Sequence, residues 1–442
     1  MNVRQAALDT LIKIEQGGAY STIAVNDLLK QKKLAPKDVG LYTELVYGTL
    51  GRKRTLDYIL EKRIQNPRKL DRFVLPLLRM SVYQLFYLDK VPDRAVLHEA
   101  VEIAKKRGHS GTGKFVNGVL RNVLRDGFPD LSTLPDVERI AIEHSHPDWL
   151  VADWVDTYGV EATEAMCKLN NEPAPVTVRV NRKQTTVEAV MNRLADEGVL
   201  TSRSELSEDG LVIESGNVHA TSLIDEGLLS VQDESSMLVA DAIGVDANDD
   251  VLDACAAPGG KAMHTAERMD GGSLTALDLH PHKAKLIERQ AKRLQIDGVT
   301  ALALDARSAG DKFERESFDR ILLDVPCSGL GVIRRKPDIK WTKDKAGLAG
   351  LPKVQREIID AVLPLLKRGG TLVYSTCTID PSENEQQADY ILSNGLTWDD
   401  TLRERLPHAV RSMVPSDRAE LKLLPTSFGT DGFYIAAFKK EV

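Results

Sequence analysis

Two cysteines of this chain stand where covalent chemistry can be done. Cys327 follows the apolar run Leu322-Leu323-Asp324-Val325-Pro326, and Cys377 follows Leu372-Val373-Tyr374-Ser375-Thr376. A thiolate is a strong nucleophile, and a nucleophile can divide one difficult step into two easier ones. Upstream lies a glycine-rich turn, Asp253-Ala254-Cys255-Ala256-Ala257-Pro258-Gly259-Gly260-Lys261. If the runs ending at 255, 327 and 377 are parallel strands of one sheet, all three open onto the same lip. Ligands of open α/β sheets bind outside the carboxyl ends of the strands. A thiol on that lip is a candidate nucleophile beside a bound cofactor.

The turn matches neither the dinucleotide spacing Gly-x-Gly-x-x-Gly nor the phosphate loop Gly-x-x-x-x-Gly-Lys-Ser/Thr. It offers two glycines, which allow close backbone approach, and it feeds a helix N-terminus, which favours a carboxylate. Asp278 and Asp305 end the next two strand-like runs. A carboxylate about 20 residues past such a turn is placed to accept ribose hydroxyls, and Asp305, one strand further out, is placed for an adenine. With no phosphate-clasping motif, S-adenosylmethionine fits better than NAD or ATP. No metal is expected, because neither paired cysteines nor His-x-x-x-His spacing occurs. Cys167 falls on a helical pattern as a packed small group, His280 and His282 read as surface or capping residues, and nothing marks the Cys255 thiol as reactive.

A pyrimidine gives the two thiols a task. Its C5 is too weak a nucleophile to take a methyl group unaided, but a thiolate added at C6 turns C5 into an enamine-like carbon. The reaction then needs an acid near N3 and a base for the C5 proton. Asp324, Cys327 and Cys377 offer these groups, and spacing alone leaves open which cysteine attacks.

The elements that must position these residues fall in three stretches. From 251 onward strands (251–255, 274–279, 299–304, 318–325, 371–375, 433–438) alternate with helices (261–269, 282–294, 358–366, 382–392), the pattern of βαβ units around a parallel sheet. From 141 to 235 a strand at 176–180, a helix at 187–197, and strands at 211–213 and 228–231 make a small α+β module, with 202–210 as a loop. The first 130 residues read as all-helical, with 75–88 as the buried central helix. There the segment 108–114 is a glycine-rich turn before a helix at 115–124, a candidate phosphate site or a plain capped start. Residues 1–130 hold 23 Lys+Arg against 14 Asp+Glu, an excess of +9, while the remainder carries −16. The basic third suits a polyanion or is a solvated helical face. No apolar run is long enough to cross a bilayer, the start lacks a hydrophobic signal core, and four cysteines in 442 residues make no disulfide framework. The expected compartment is the cytoplasm.

These motifs resemble those of the RNA cytosine-5 methyltransferases. The likeness runs through residues 253–261, 324–331 and 375–377, and extends to 232–236, to Lys336-Pro337-Asp338-Ile339-Lys340-Trp341 and to Thr430-Asp431-Gly432-Phe433. Val325 stands where alanine is common. The first third, with Lys114-Phe115-Val116-Asn117-Gly118-Val119-Leu120-Arg121, resembles the NusB-type RNA-binding domain, and together they point to the Sun/Fmu group acting on 16S ribosomal RNA. The resemblance implies a NusB-like all-α domain (1–140), a small α+β linker module (141–235) and a Rossmann-like class I methyltransferase domain (236–442). It implies Cys377 as nucleophile, Cys327 as the residue that assists release, and Asp324 beside base and methyl donor. It places Cys255, Ala256, Ala257, Pro258, Gly259, Gly260, Lys261, Asp278, Asp305 and Asp324 on S-adenosylmethionine. The partner is then 16S ribosomal RNA or a 30S assembly intermediate, the protein a monomer, and no membrane is involved. Arg334, Arg335, Lys336, Lys340 and Trp341 are expected to form either a basic loop that clamps RNA and stacks a base, or a salt-bridged surface loop. The rivals are a tRNA-directed enzyme of the same chemistry and a non-catalytic RNA-binding factor.

Overall fold

The computed structural model describes residues 2–17, 21–31 and 34–442. The chain forms two units, one of residues 1–173 with 333–344, the other of residues 174–332 with 345–442. In the first, the helix Val74–Tyr87 buries Val74, Leu77, Leu78, Met80 and Val82, as its density of apolar residues requires. Pro76 sits in the first turn, where its missing N–H costs no helical hydrogen bond. The helices Val3–Gly17, Val39–Gly51, Lys53–Glu61, Asp93–Arg107 and Ser110–Asp126 pack on it through their apolar faces. Its one buried cation, Arg79, is matched by Glu15 (2.9 Å) and Asp57 (2.6 Å).

Of the two readings given for 108–114, the structure shows the capped helix start. The helix starts at Ser110, and the His109 ring nitrogen Nδ1 accepts the Gly111 N–H at 3.1 Å. That amide is already used, so the segment is a capped helix start and no phosphate cradle.

The second unit carries two sheets. The small one comprises β1 (Val176–Val180), β2 (Leu200–Arg203), β3 (Gly210–Ser215) and β4 (Leu229–Val231) in the order β2-β3-β1-β4, all antiparallel. The helix Val187–Asp196 covers one face with Val187, Val190 and Leu194. β2 enters the stretch expected to be a loop; it is an edge strand with both faces largely wet, so its sequence lacks an apolar alternation.

The large sheet comprises β5 (Asp250–Asp253), β6 (Ser273–Asp278), β7 (Val299–Ala303), β8 (Phe318–Asp324), β9 (Leu366–Thr376), β10 (Leu396–Trp398), β11 (Glu420–Leu423) and β12 (Phe433–Lys440). Its order is β10-β12-β9-β8-β5-β6-β7, with β11 also on β12. Neighbours from β9 to β7 run parallel, and the pairs made by β10, β11 and β12 are antiparallel. Val251, Leu322 and Val373 face one core, and Leu252, Ile321, Leu323 and Leu372 face the other. Helices cover both faces, which is why these strands read as continuous apolar runs. The helix expected at 358–366 is Leu351–Val362: Pro352 lies in its first turn and a 3-10 turn through Pro364 ends it. The chain runs β5, β6, β7 to one side and returns through β8 and β9 on the other. The switch point, where a crevice must form, therefore lies between β5 and β8. Among the described residues no helix is long and apolar enough to cross a membrane.

Candidate active site

Parallel register decides the height at which each strand delivers its last residues. Leu322 of β8 lies opposite Asp253 of β5, and Asp324 lies opposite Ser375 of β9. The loop after Asp324 and the end of β9 thus leave the sheet at nearly one level, and the two thiols meet there. The Cys327 and Cys377 sulfurs are 3.4 Å apart, and all four cysteines are thiols. They share a cleft of about 540 Å³ with Cys255, Asp278, Asp305 and Asp324, a size usual for small-molecule sites. Ala254 and Ala257 also line it, while Ala256, Pro258, Gly259 and Gly260 belong to the turn outside its wall. Gly331 explains how the strand ends stay close. Its N–H donates to the Cys377 carbonyl (3.0 Å), its own carbonyl accepts from Gly432 (2.8 Å), and a Cβ there would stand 2.0 Å from the Gly432 oxygen.

Lys261 organises the charges. Its ammonium donates to Asp324 Oδ2 at 2.7 Å and lies 5.1 Å above the Phe433 ring. The Ser375 hydroxyl donates to Asp324 Oδ1 at 3.0 Å. Burial disfavours the Lys261 charge, but Asp324 and then Cys377 outweigh it, and its pKa is raised. Asp253, buried behind the turn, accepts the Cys255 N–H at 3.2 Å on one oxygen, and its Oδ2 has no hydrogen-bond partner among the described residues. Burial and the nearby Asp324 charge push its carboxyl up to about 7. Burial also raises the Cys255 thiol well above its ordinary value, so that sulfur is inert at neutral pH.

The turn suits the polar groups of a nucleoside bearing a carboxylate. Gly260 opens the helix Gly260–Glu267, and open space stands where its Cβ would be. Asp278 presents a carboxylate to the cleft with the His280 N–H on one oxygen (2.9 Å) and Lys283 3.7 Å from the other. Asp305 lines the wall too, with its charge already met by Arg307 at 2.7 Å. The turn is held from a distance by Arg179 of β1, which is 1% exposed. Its guanidinium donates to the Gly260 carbonyl (2.8 Å) and to both oxygens of Glu267 (2.7 and 3.0 Å). Sequence reasoning missed this arginine, because it sits as one polar letter in a strand 81 residues before its partner.

Sequence reasoning also missed the cage around the thiols. Beside Cys327, the Ser328 N–H donates to Glu383 Oε2 (2.9 Å), and the Ser328 and Thr378 hydroxyls are 2.7 Å apart. Gln355 donates to the Pro326 carbonyl (3.0 Å) and to the same Glu383 oxygen (2.9 Å). Glu383 falls in a stretch that reads as the start of a helix, seven residues past the end of β9, and no signal in the sequence set it apart. The Cys327 pKa is raised well above its ordinary value, first by its hydrogen bond to Cys377 and then by burial.

The loop after Cys327, expected either to clamp RNA or to form a salt-bridged surface, spends two of its named residues on other contacts. Residues 333–344 pack within the helical unit. Lys340 is 1% exposed and donates to the carbonyls of Gly51 (2.8 Å) and Ser145 (2.8 Å) and to Asn171 Oδ1 (3.2 Å). The Trp341 indole donates to the Leu50 carbonyl at 2.6 Å, and Asp338 accepts from the Ser21 hydroxyl at 2.6 Å. All three Lys340 donors are spent, leaving none for a phosphate, and Arg334 itself donates to the Glu172 and Pro173 carbonyls. Among the described residues, Glu143, His144 and Glu164 are spaced for a cation, but Arg139 already donates to both carboxylates (3.2 and 2.7 Å).

Comparisons with known proteins agree with this architecture. Residues 241–439 match the family model of the 16S rRNA methyltransferase RsmB/F, residues 1–125 that of the NusB family, and residues 146–219 a ferredoxin-like domain of RsmF/B-like methyltransferases. The chain is 48% identical to the probable ribosomal RNA small subunit methyltransferase B of Bacillus subtilis, covering 100% of this chain and 99% of that one. It is 34% identical to ribosomal RNA small subunit methyltransferase B of Vibrio cholerae, over 100% and 98%. In fold it is similar to the crystal structure of PH0851, with a TM-score of 0.82 at 24% identity over 100% and 99% of the two chains. It is also similar to a methyltransferase homologue from Pyrococcus horikoshii, with a TM-score of 0.58 at 25% identity over 69% and 99%.

Proposed function

We propose a cytosine-directed reaction for this chain, which belongs to the RsmB/F family of 16S rRNA methyltransferases and takes its methyl group from S-adenosylmethionine. The product is 5-methylcytosine in 16S ribosomal RNA, and the reaction passes through a covalent bond between the Cys377 sulfur and C6 of the base. The observation that carries this reading is the pair of sulfurs 3.4 Å apart in one cleft with an Asp324 already paired to Lys261.

The base must leave any stack for a thiol to reach C6, so opened or single-stranded RNA is the form bound. Cys377 attacks C6 as a thiolate, with the Lys261 ammonium supplying the compensating charge. Asp324, held by Lys261 and Ser375, stands to pass a proton to N3 as negative charge develops there, drawing that proton from the Lys261 ammonium. S-adenosylmethionine, held by the 255–261 turn, Asp278, Asp305 and Asp324, supplies an electrophilic methyl group. Once C5 is methylated, loss of its proton lets the electron pair return to the ring and expel the Cys377 sulfur, and Cys327 assists that release. We read the chain as a helical RNA-binding module at 1–140, a linker module at 141–235 and the methyltransferase domain at 236–442.

Cys377→Ala should abolish methylation of 30S precursors while leaving S-adenosylmethionine affinity, measured by calorimetry, nearly intact. Retained turnover overturns the assigned nucleophile. Cys327→Ala should accumulate a protein–RNA adduct that survives denaturing electrophoresis; its absence, with Cys377 active, overturns the release role. Methylation of tRNA pools in preference to 30S precursors overturns the substrate.

A further inference from the structure

The reaction above asks two neighbouring thiols to do different things, and nothing in their own chemistry tells them apart. Their surroundings do. Glu383 is 1% exposed, and its Oε2 accepts both the Ser328 N–H, next to Cys327, and the Gln355 amide, which in turn holds the Pro326 carbonyl on the other side of Cys327. Its backbone carbonyl accepts the Tyr374 hydroxyl at 2.6 Å, inside the strand that ends before Cys377. The Ser328–Thr378 contact closes the cage one residue past each sulfur. The second carboxylate oxygen, Oε1, is buried with no hydrogen-bond partner among the described residues. A buried carboxylate whose bonds all point at one loop costs desolvation, so its charge must serve something nearby.

We propose that Glu383 is a positioning residue that keeps Cys327 as the proton-bearing thiol, donating to Cys377, and so leaves Cys377 as the thiolate. The inference rests on the reading of Cys377 as nucleophile and adds what makes it one. The charged groups divide accordingly. Cys377 first, then burial, Glu383 and Asp324 all act against ionisation of Cys327, whereas the Lys261 ammonium beside Asp324 interacts with Cys377. Two N–H donors on Glu383 Oε2 favour its charged form, against burial and the nearby Asp380, which raise its pKa. Tyr374 and Cys255 are buried with raised pKa values and stay neutral, Asp253 is pushed up to about 7, and Asp278 and Asp305 line the cleft wall.

The test uses the full chain without RNA. Both cysteines are alkylated by iodoacetamide across pH and the modified peptides quantified by mass spectrometry. In the native protein Cys377 should react first. Glu383→Gln keeps an acceptor for Ser328 and removes only the charge. It should raise the relative labelling of Cys327 about tenfold, the change in thiolate fraction brought by one pKa unit, with thermal stability and S-adenosylmethionine affinity close to native. Glu383→Ala, which also opens the cage, should in addition slow coupling of the two thiols by hydrogen peroxide (two thiols and one peroxide giving a disulfide and two waters). If Glu383→Gln folds and its labelling ratio is native, the inference is overturned while Cys377 remains the nucleophile. If Cys327 reacts first in the native protein, the nucleophile assignment fails and this inference with it.

Discussion

Each unit of the molecule buries a lysine, and the two are treated oppositely. In the helical unit Lys340 meets only neutral oxygens, two carbonyls and an amide, and burial brings its pKa down to about 7. In the sheet unit Lys261 meets the Asp324 carboxylate, and its pKa is raised in spite of burial. Three dipoles saturate an ammonium's donors without matching its charge, which makes Lys340 a staple for residues 333–344. A carboxylate matches the charge and holds the cation ready beside Cys377. The same residue type is architecture in one place and electrostatics in the other, and the partner's charge decides which.

Substitution by methionine, which keeps the length and removes the charge, should separate the two. Lys261→Met has the larger effect on chemistry: turnover should fall roughly 10²–10³-fold, as for loss of one preorganised charge, with the melting temperature little changed. A large stability loss with unchanged turnover per folded molecule would erase the distinction. Lys340→Met should do the reverse. It strands the Gly51 and Ser145 carbonyls and should cost about 2–4 kcal/mol in denaturant unfolding, leaving S-adenosylmethionine affinity of the folded protein intact.

The smallest effect extends the comparison to a buried imidazole. His264, 1% exposed, bonds Asp209 (3.1 Å), and burial with the Arg179 charge lowers its pKa to about 3. The unfolded chain takes up that proton near 6.5 and the folded chain does not until about 3, so stability falls as pH drops through this window. The loss should be roughly 2 kcal/mol between pH 6.5 and 5, and His264→Gln should flatten it in pH-dependent thermal melts. An unchanged slope would mean that the imidazole is not held neutral.

The catalytic sheet was legible for a simple reason. Strands covered on both faces must be apolar throughout, so β5, β6, β8 and β9 announced themselves, and chemistry-bearing residues had to sit just past their ends. β2 was illegible because an edge strand with both faces wet carries no periodicity, and β10 and β11 because three or four residues are too few to establish one. The loop at 334–341 misled for a different reason: its basic letters describe a surface only if nothing buries them, and Lys340 found three oxygens from segments around residues 51, 145 and 171. The 108–114 segment left two readings open because a glycine-rich turn before a helix fits a phosphate or a plain cap, and His109 decides for the cap.

From residue order alone came the reading of an α/β domain behind a helical one, a turn fit for a nucleoside, and two thiols at strand ends. Those follow from local rules, the period of apolar residues and the types that chemistry needs. Which carboxylate answers Lys261, how Glu383 reaches Ser328, and where Lys340 is spent were settled by the folded molecule, because charge compensation in a dry interior depends on neighbours that sequence distance does not reveal.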